Sequence, residues 1–272
     1  MSVLVVGSCT VDNLVYVDHL PQSQDSLKAN RSEFRLGGCA YNVAHATSNC
    51  TFVSTCGKGI YADYIRYHLM EEEFEVCLPF SNRENGYCIC LIEPNGERSF
   101  IAYRGVEHTY DIGALFDLDE YDYTYVCGME LEEDASIFEY LEKVNTQIFF
   151  ACGPRLKYIK RERLDKMLSL HPILHMSCKE LLEWTNMGIK DGIKYLYSMT
   201  SNLVIVTDGS NGSYAYDGRM HFVASKPVEC TNSVGAGDHH AGICLACLDD
   251  KLDVDCMLEK ANESCREMLV KN

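Results

Sequence analysis

The run Asn232-Ser233-Val234-Gly235-Ala236-Gly237-Asp238 joins three small residues, two of them glycine, to a carboxylate. It follows an extended stretch and opens an apolar, helix-like run over 241–248. Small residues at a helix start leave bare backbone N–H groups aimed at one point, and the helix dipole makes that point attractive to anions. An aspartate there repels a phosphate unless it has another task. The task that fits is to take the proton from a group attacking that phosphate.

Such a turn needs a rigid frame. The β-branched run over 3–6, ending at Gly7, reads as a strand buried on both faces, as in a parallel sheet. A second extended piece covers 14–17. Leu36-Gly37-Gly38 precedes a small-residue helix over 41–48, and a strand over 51–56 leads to a helix over 62–73 with Ile65 and Leu69 inside. Strands over 87–92 and 99–103 flank Pro94-Asn95-Gly96-Glu97, a hairpin signal. Strands over 123–126, 147–150, 173–175 and 203–207 then alternate with helix-length segments, followed by a hairpin of 214–216 and 221–223 around Asp217-Gly218. That alternation predicts a doubly wound, mostly parallel α/β sheet with helices on both faces. The extended pieces near Leu14 and the first hairpin do not fit it. Together, over about 12–35 and 87–105, they are expected to form a small β-sheet lid on a single domain spanning 1–272.

Composition narrows the function. The 272 residues are 47% hydrophobic, enough for one large core, and the formal net charge of −16 excludes the basic face of a nucleic-acid binder. The 15 cysteines are an odd number and many for this size, and they sit in a chain too long for a disulfide-stapled secreted domain. With no signal-peptide pattern and no apolar run of bilayer length, the expected setting is the reducing cytoplasm, with no membrane partner.

Three ordered motifs resemble the ribokinase (PfkB) family of carbohydrate and nucleoside kinases, nearly end to end. These are Gly7-Ser8-Cys9-Thr10-Val11-Asp12, Gly37-Gly38-Cys39-Ala40-Tyr41-Asn42-Val43-Ala44 and Val234-Gly235-Ala236-Gly237-Asp238. Gly96-Glu97-Arg98 resembles the turn of the family's lid hairpin, and Val206-Thr207-Asp208-Gly209-Ser210-Asn211-Gly212 its nucleotide-side strand and loop. Taken singly, Gly37-Gly38 is a tight turn, Asp12 a turn cap, Asn42 a helix residue and Glu180 a solvated charge. Their order carries the resemblance.

The resemblance implies ATP-dependent transfer of a γ-phosphate to a hydroxyl of a sugar or sugar-like molecule. Asp238 is then the base, and the N–H groups of Gly235, Ala236 and Gly237 form the anion hole. Asp12, Gly37, Gly38 and Asn42 hold acceptor hydroxyls. Thr207, Gly209 and Gly212 line the ATP pocket, and Glu180, with Ser177 in place of the family's Asn, places Mg²⁺ through water with no direct protein ligand. Arg104 at the end of the lid hairpin, with Arg155, offers a fork for an anionic substrate group. Alternatives are a nucleoside acceptor, adenosine or pseudouridine, and a decayed ligand-binding homologue. Pairing of lids implies a homodimer.

Several positions depart from the family pattern. Asn232 stands for Asp, Gly57-Lys58-Gly59 lacks two acids, Ala151 replaces an Asp, and His240 replaces an aromatic. The chain ends about one helix after the signature, which predicts an incomplete far wall for the adenine pocket. His239, His240, Cys244 and Cys247 cluster in sequence, but Cys-x-x-Cys within one helix suits a tetrahedral metal poorly.

Overall fold

Val3–Val6 is apolar throughout, and all four residues are fully buried. In the computed structural model, which describes residues 3–109, 111–116, 118, 121–132, 135–228 and 233–271, this strand lies inside a nine-stranded sheet. From one edge the order is Met220–Ala224, Gly212–Tyr216, Val204–Thr207, Ile173–Ser177, Gln147–Ala151, Tyr123–Cys127, Val3–Val6, Thr51–Val53 and Glu75–Cys77. The two pairings at the first edge are antiparallel. The others are parallel.

Alternate residues feed two cores. Val3 and Val5 pack with helices Cys39–Thr47, Ile60–Leu69, Ala236–Asp249 and Val254–Lys271. Leu4 and Val6 pack with Arg161–Ser169, Cys178–Thr185 and Ile189–Thr200 on the opposite face. This is the doubly wound α/β arrangement that the βα alternation predicts. The chain steps from Val3–Val6 outward to Glu75–Cys77, then returns to the other side at Tyr123–Cys127. The order therefore reverses between Val3–Val6 and Tyr123–Cys127, and ligands of such sheets bind beyond the carboxyl ends at that reversal.

A separate four-stranded sheet has the order Arg31–Gly37, Thr10–Tyr16, Tyr87–Ile92 and Arg98–Tyr103. Its central pair is parallel, with Asp12 opposite Cys88, and its outer pairs are antiparallel. Arg31–Gly37 is an exposed edge strand whose polar sequence lacks the alternation that marks a half-buried one. One side of this sheet docks on helix Ile60–Leu69. Tyr61 stacks on Tyr87 with centroids 4.7 Å apart, and the Tyr64 hydroxyl donates to the Phe34 carbonyl at 2.9 Å.

Two local expectations differ from the structure, and two short strands were not expected. The strand expected over 51–56 is two strands, because the chain leaves the main sheet after Val53 and Cys56–Lys58 pairs with Phe80–Glu84. Glu75–Cys77 and Phe80–Glu84 are short and separated by Pro79, so neither shows a period in the sequence. The helix expected over 62–73 runs Ile60–Leu69, with Gly59 as N-cap and Glu71, Glu72 and Glu73 beyond its end. Among the described residues no cysteine is in a disulfide, and no helix is long and apolar enough to cross a membrane.

Candidate active site

Two helices of small residues create the site. Cys39–Thr47 buries Ala40, Val43, Ala44 and Thr47, and Ala236–Asp249 meets it at Gly242. A Cβ on Gly242 would stand 2.6 Å from the Ala46 Cβ and 2.7 Å from the Val43 carbonyl. The Thr47 hydroxyl donates across the seam to the Gly242 carbonyl at 3.2 Å. This close approach brings together residues 196 apart in sequence: the Asn42 amide donates to Asp238 Oδ2 at 2.9 Å.

Gly235 caps the second helix in the left-handed region, with φ 77°. The helical ladder opens at His239 N–H to Gly235 C=O, 2.7 Å. The N–H groups of Ala236, Gly237 and Asp238 precede that bond and are the donors a helix leaves over at its start. The Ala236 N–H makes a long 3.3 Å bond to the Ser233 carbonyl. Asn232 lies outside the described residues. Asp238 is half-buried, and burial pushes its carboxyl up to about 6 against the hydrogen bonds from Asn42 and Cys39, with Glu180 adding repulsion.

Asp12, Gly37, Gly38 and Asn42 gather around the start of helix Cys39–Thr47. A Cβ on Gly37 would fall 2.2 Å from Asp12 Oδ2, so the Asp12 carboxylate rests directly over that peptide. Gly38 caps helix Cys39–Thr47 at φ 101°, and a Cβ there would meet the Ser8 carbonyl at 2.5 Å. Burial raises the Asp12 carboxyl to about 6, against a hydrogen bond with Thr10. A residue that motif reading missed is Glu130, 2% exposed on the short helix Gly128–Glu132. Its Oε2 accepts the Cys127 N–H at 3.0 Å, and its Oε1 lies 3.0 Å from where a Gly7 Cβ would be. The available signal was position: a carboxylate three residues past a strand that borders the reversal point.

Beside the start of helix Ala236–Asp249 opens a cavity of about 480 Å³, a normal size for a small-molecule site. Ser177, Thr207, Gly209, Gly212, Ala236 and Gly237 all line it. Ser177 and Thr207 are register partners on adjacent strands. Gly212, at φ 125°, would drive a Cβ to within 2.1 Å of the Val223 carbonyl. Helix Val254–Lys271 closes one wall of this cavity with Asn262, Cys265, Arg266 and Leu269.

Ser177 and Glu180 form a capping box on helix Cys178–Thr185. The Ser177 N–H donates to Glu180 Oε2 at 2.8 Å, and the Glu180 N–H donates to Ser177 Oγ at 3.3 Å. Glu180 is thus partly buried with one oxygen committed to the backbone, and burial raises its pKa. Arg104 pairs with Glu132 at 3.1 Å, and Arg155 grips the same carboxylate through Nε at 2.6 Å. Burial pushes the Glu132 pKa up, and the hydrogen bonds from Arg155 and Arg104 more than reverse it. The two guanidiniums that the sequence offers as a fork for a ligand meet on this residue.

The departures have local explanations. His240, in place of an aromatic, bonds through Nδ1 to His175 Nε2 at 3.0 Å and lies 3.4 Å from Cys244 Sγ. Burial depresses both histidines, His240 to about 4, so the pair is neutral. His239 turns away to Ser264 at 2.8 Å, so the four residues clustered in sequence do not converge. Ala151 ends its strand with 9% exposure, where a carboxylate would need a partner.

The profile of the pfkB family carbohydrate kinases matches residues 1–268. Over 270 residues the chain is 26% identical to the uncharacterized sugar kinase YegV of Escherichia coli (strain K12), covering 90% of this chain and 81% of that one. The crystal structure of ribokinase from Thermotoga maritima superposes with a TM-score of 0.87 at 17% identity, covering 99% of this chain and 93% of that one. The Arabidopsis thaliana ribokinase complexed with ribose and ATP gives 0.80 at 16% identity, covering 98% and 92%. These two likenesses show the fold, and the match along nearly the whole length shows the rest: the chain belongs to the pfkB family of carbohydrate kinases.

Proposed function

We propose that this protein transfers the γ-phosphate of ATP to a hydroxyl, preferably primary, of a sugar or sugar-like small molecule. The observation that carries the reading is the 2.9 Å bond from Asn42 to Asp238, because it brings an amide from the Gly38-capped helix onto the carboxylate at the Gly235-capped helix start that borders the cavity. Asp12, Asn42 and the Gly37-Gly38 peptides hold the acceptor, since a carboxylate and an amide together accept from and donate to neighbouring hydroxyls. The nucleotide occupies the cavity along Thr207, Gly209 and Gly212, its γ-phosphate toward the N–H groups at 235–237. The donor set fits that group, with backbone N–H groups at a helix start and small residues beside them. Mg²⁺, when bound with the nucleotide, would supply charge neutralisation, and Glu180 would hold it through water. Asp238 takes the proton from the acceptor hydroxyl as the oxygen attacks. The small sheet bearing Asp12 acts as a lid that excludes water, and Arg104, through Glu132, ties its hairpin to the core.

The test is ATP consumption against a panel of sugars, sugar acids and nucleosides, with Asp238→Asn as control. The expected result is turnover on at least one sugar-like acceptor and a loss of at least ~10³-fold in the variant, with ATP binding kept. Turnover retained by Asp238→Asn sinks the assignment of the base. ATP binding without turnover on any acceptor points instead to a ligand-binding role.

A further inference from the structure

The hairpin of the small sheet joins the main body at a crossing of two glycines. Gly86 precedes strand Tyr87–Ile92, and Gly105 follows two residues after strand Arg98–Tyr103. The two peptides touch. A Cβ on Gly105 would lie 2.2 Å from the Gly86 nitrogen, and one on Gly86 would lie 2.1 Å from the Tyr103 carbonyl. Glycine is required by that approach, and with no side chain to hold them the two residues depend on other groups to fix the joint.

One buried carboxylate spans the joint. Glu107, on the turn Val106–His108, is fully buried. Its Oε2 accepts the Gly86 N–H at 2.8 Å and its Oε1 accepts the Gly105 N–H at 2.8 Å. His108 Nε2 stands 3.3 Å from Oε1, and the Asn85 amide 3.5 Å from Oε2. Asn85, itself 3% exposed, carries the linkage on by accepting the Gly57 N–H at 2.7 Å. The Gly57 carbonyl in turn takes a 2.8 Å bond from Arg66 on helix Ile60–Leu69, the helix on which the small sheet rests. Burying a carboxylate is costly unless its oxygens are satisfied, and here backbone N–H groups from both strands satisfy them.

We propose that Glu107 is a positioning residue: it pins both arms of the hairpin at the glycine crossing and so sets the small sheet over the acceptor side of the active site. This rests on the kinase reading above. The leverage is large. A six-residue strand reaches about 20 Å, so a swing of about 10° at the joint moves its far end by about 3 Å. A misplacement of about 1 Å at a reacting group can cost a hundredfold in rate.

Glu107→Gln is the test. It keeps the shape and one acceptor oxygen, but turns an NH₂ group toward the second N–H, so one arm is released. Amides in strands Tyr87–Ile92 and Arg98–Tyr103 are expected to exchange with deuterium at least ~10-fold faster, while those of Tyr123–Cys127 and Gln147–Ala151 keep their rates. The KM for the acceptor is expected to rise about tenfold, equivalent to about 1.4 kcal/mol, with the KM for ATP within about twofold. Unchanged exchange in the two lid strands, exchange that rises equally in the core strands, or both KM values rising together would overturn the proposal. The exchange measurement needs no substrate, so it decides the pin even if the kinase reading fails. If the variant does not fold, the wild-type protein still decides. The Gly86 and Gly105 amides must then exchange more slowly than those at the tip of the hairpin, and equal rates overturn the pin.

Discussion

Asp12 and Asp238 are each raised to about 6 by burial, and the proposed mechanism requires both ionised, one to hold the acceptor and one to take its proton. The rate profile kcat/KM for the acceptor is therefore expected to fall below pH ~6 with a limiting slope of two, and Asp12→Asn should reduce that slope to one. A wild-type slope of one would remove one carboxylate from the scheme. The same shift has a stability sign. The folded pKa of Asp238 lies above its unfolded value, so its contribution is whole below pH ~4 and is lost as pH rises through ~6. Asp238→Asn should then be the more stable protein at pH 8, by on the order of 1–2 kcal/mol after allowance for its partial exposure, with no difference at pH 4. Urea unfolding at the two pH values checks this. Asp12, Asn42 and Asp238 stood out in the sequence because each lies in a motif containing glycine and the three motifs fall in order. Glu130 and Glu132 were not, because a carboxylate after a buried strand has no local pattern and acquires meaning only from the strand order. Ser177 and Glu180 were legible as a spacing but not as a capping box, which depends on where the helix starts.

At the scale of elements, the seam between Cys39–Thr47 and Ala236–Asp249 decides whether Asn42 reaches Asp238. Gly242→Ala sets two effects against each other. Helix propensity favours alanine by about 1 kcal/mol, whereas forcing a methyl into a packed seam costs about 1–3 kcal/mol. The contact of 2.6 Å to Ala46 and of 2.7 Å to a carbonyl makes the second effect dominate, because a backbone atom cannot step aside. Gly242→Ala is expected to be destabilised in urea titration and to lose activity beyond what its unfolded fraction explains, since the helices part beside the Asn42–Asp238 bond. A stabilised variant would show that the seam is looser than described. Long parallel strands and this helix pair were readable from runs of apolar or small residues. Glu75–Cys77, Phe80–Glu84 and the exact extent of Arg31–Gly37 were not, because short or edge strands are selected by their neighbours rather than by their own period.

For the whole molecule, the net charge of −16 has a consequence that no single contact reveals. Under the proposed function ATP would approach an acidic body, and the cations lining the cavity, Lys226 and Arg266, both pair with Glu263, at 3.5 and 2.6 Å. The screening length falls from about 30 Å at 0.01 M salt to about 8 Å at 0.15 M, so salt removes the long-range repulsion while leaving the proposed short-range contacts at 235–237 nearly untouched. The kcat/KM for ATP is therefore expected to rise severalfold between about 0.01 and 0.15 M ionic strength, whereas that for an uncharged acceptor stays level. Running the series in tetramethylammonium chloride as well as sodium chloride separates screening from any bound monovalent cation. A fall with salt would mean that Lys226 and Arg266 act as an attractive funnel despite Glu263. Glu263→Gln, which frees both cations, should then steepen that fall, whereas under the repulsive scheme it should flatten the rise.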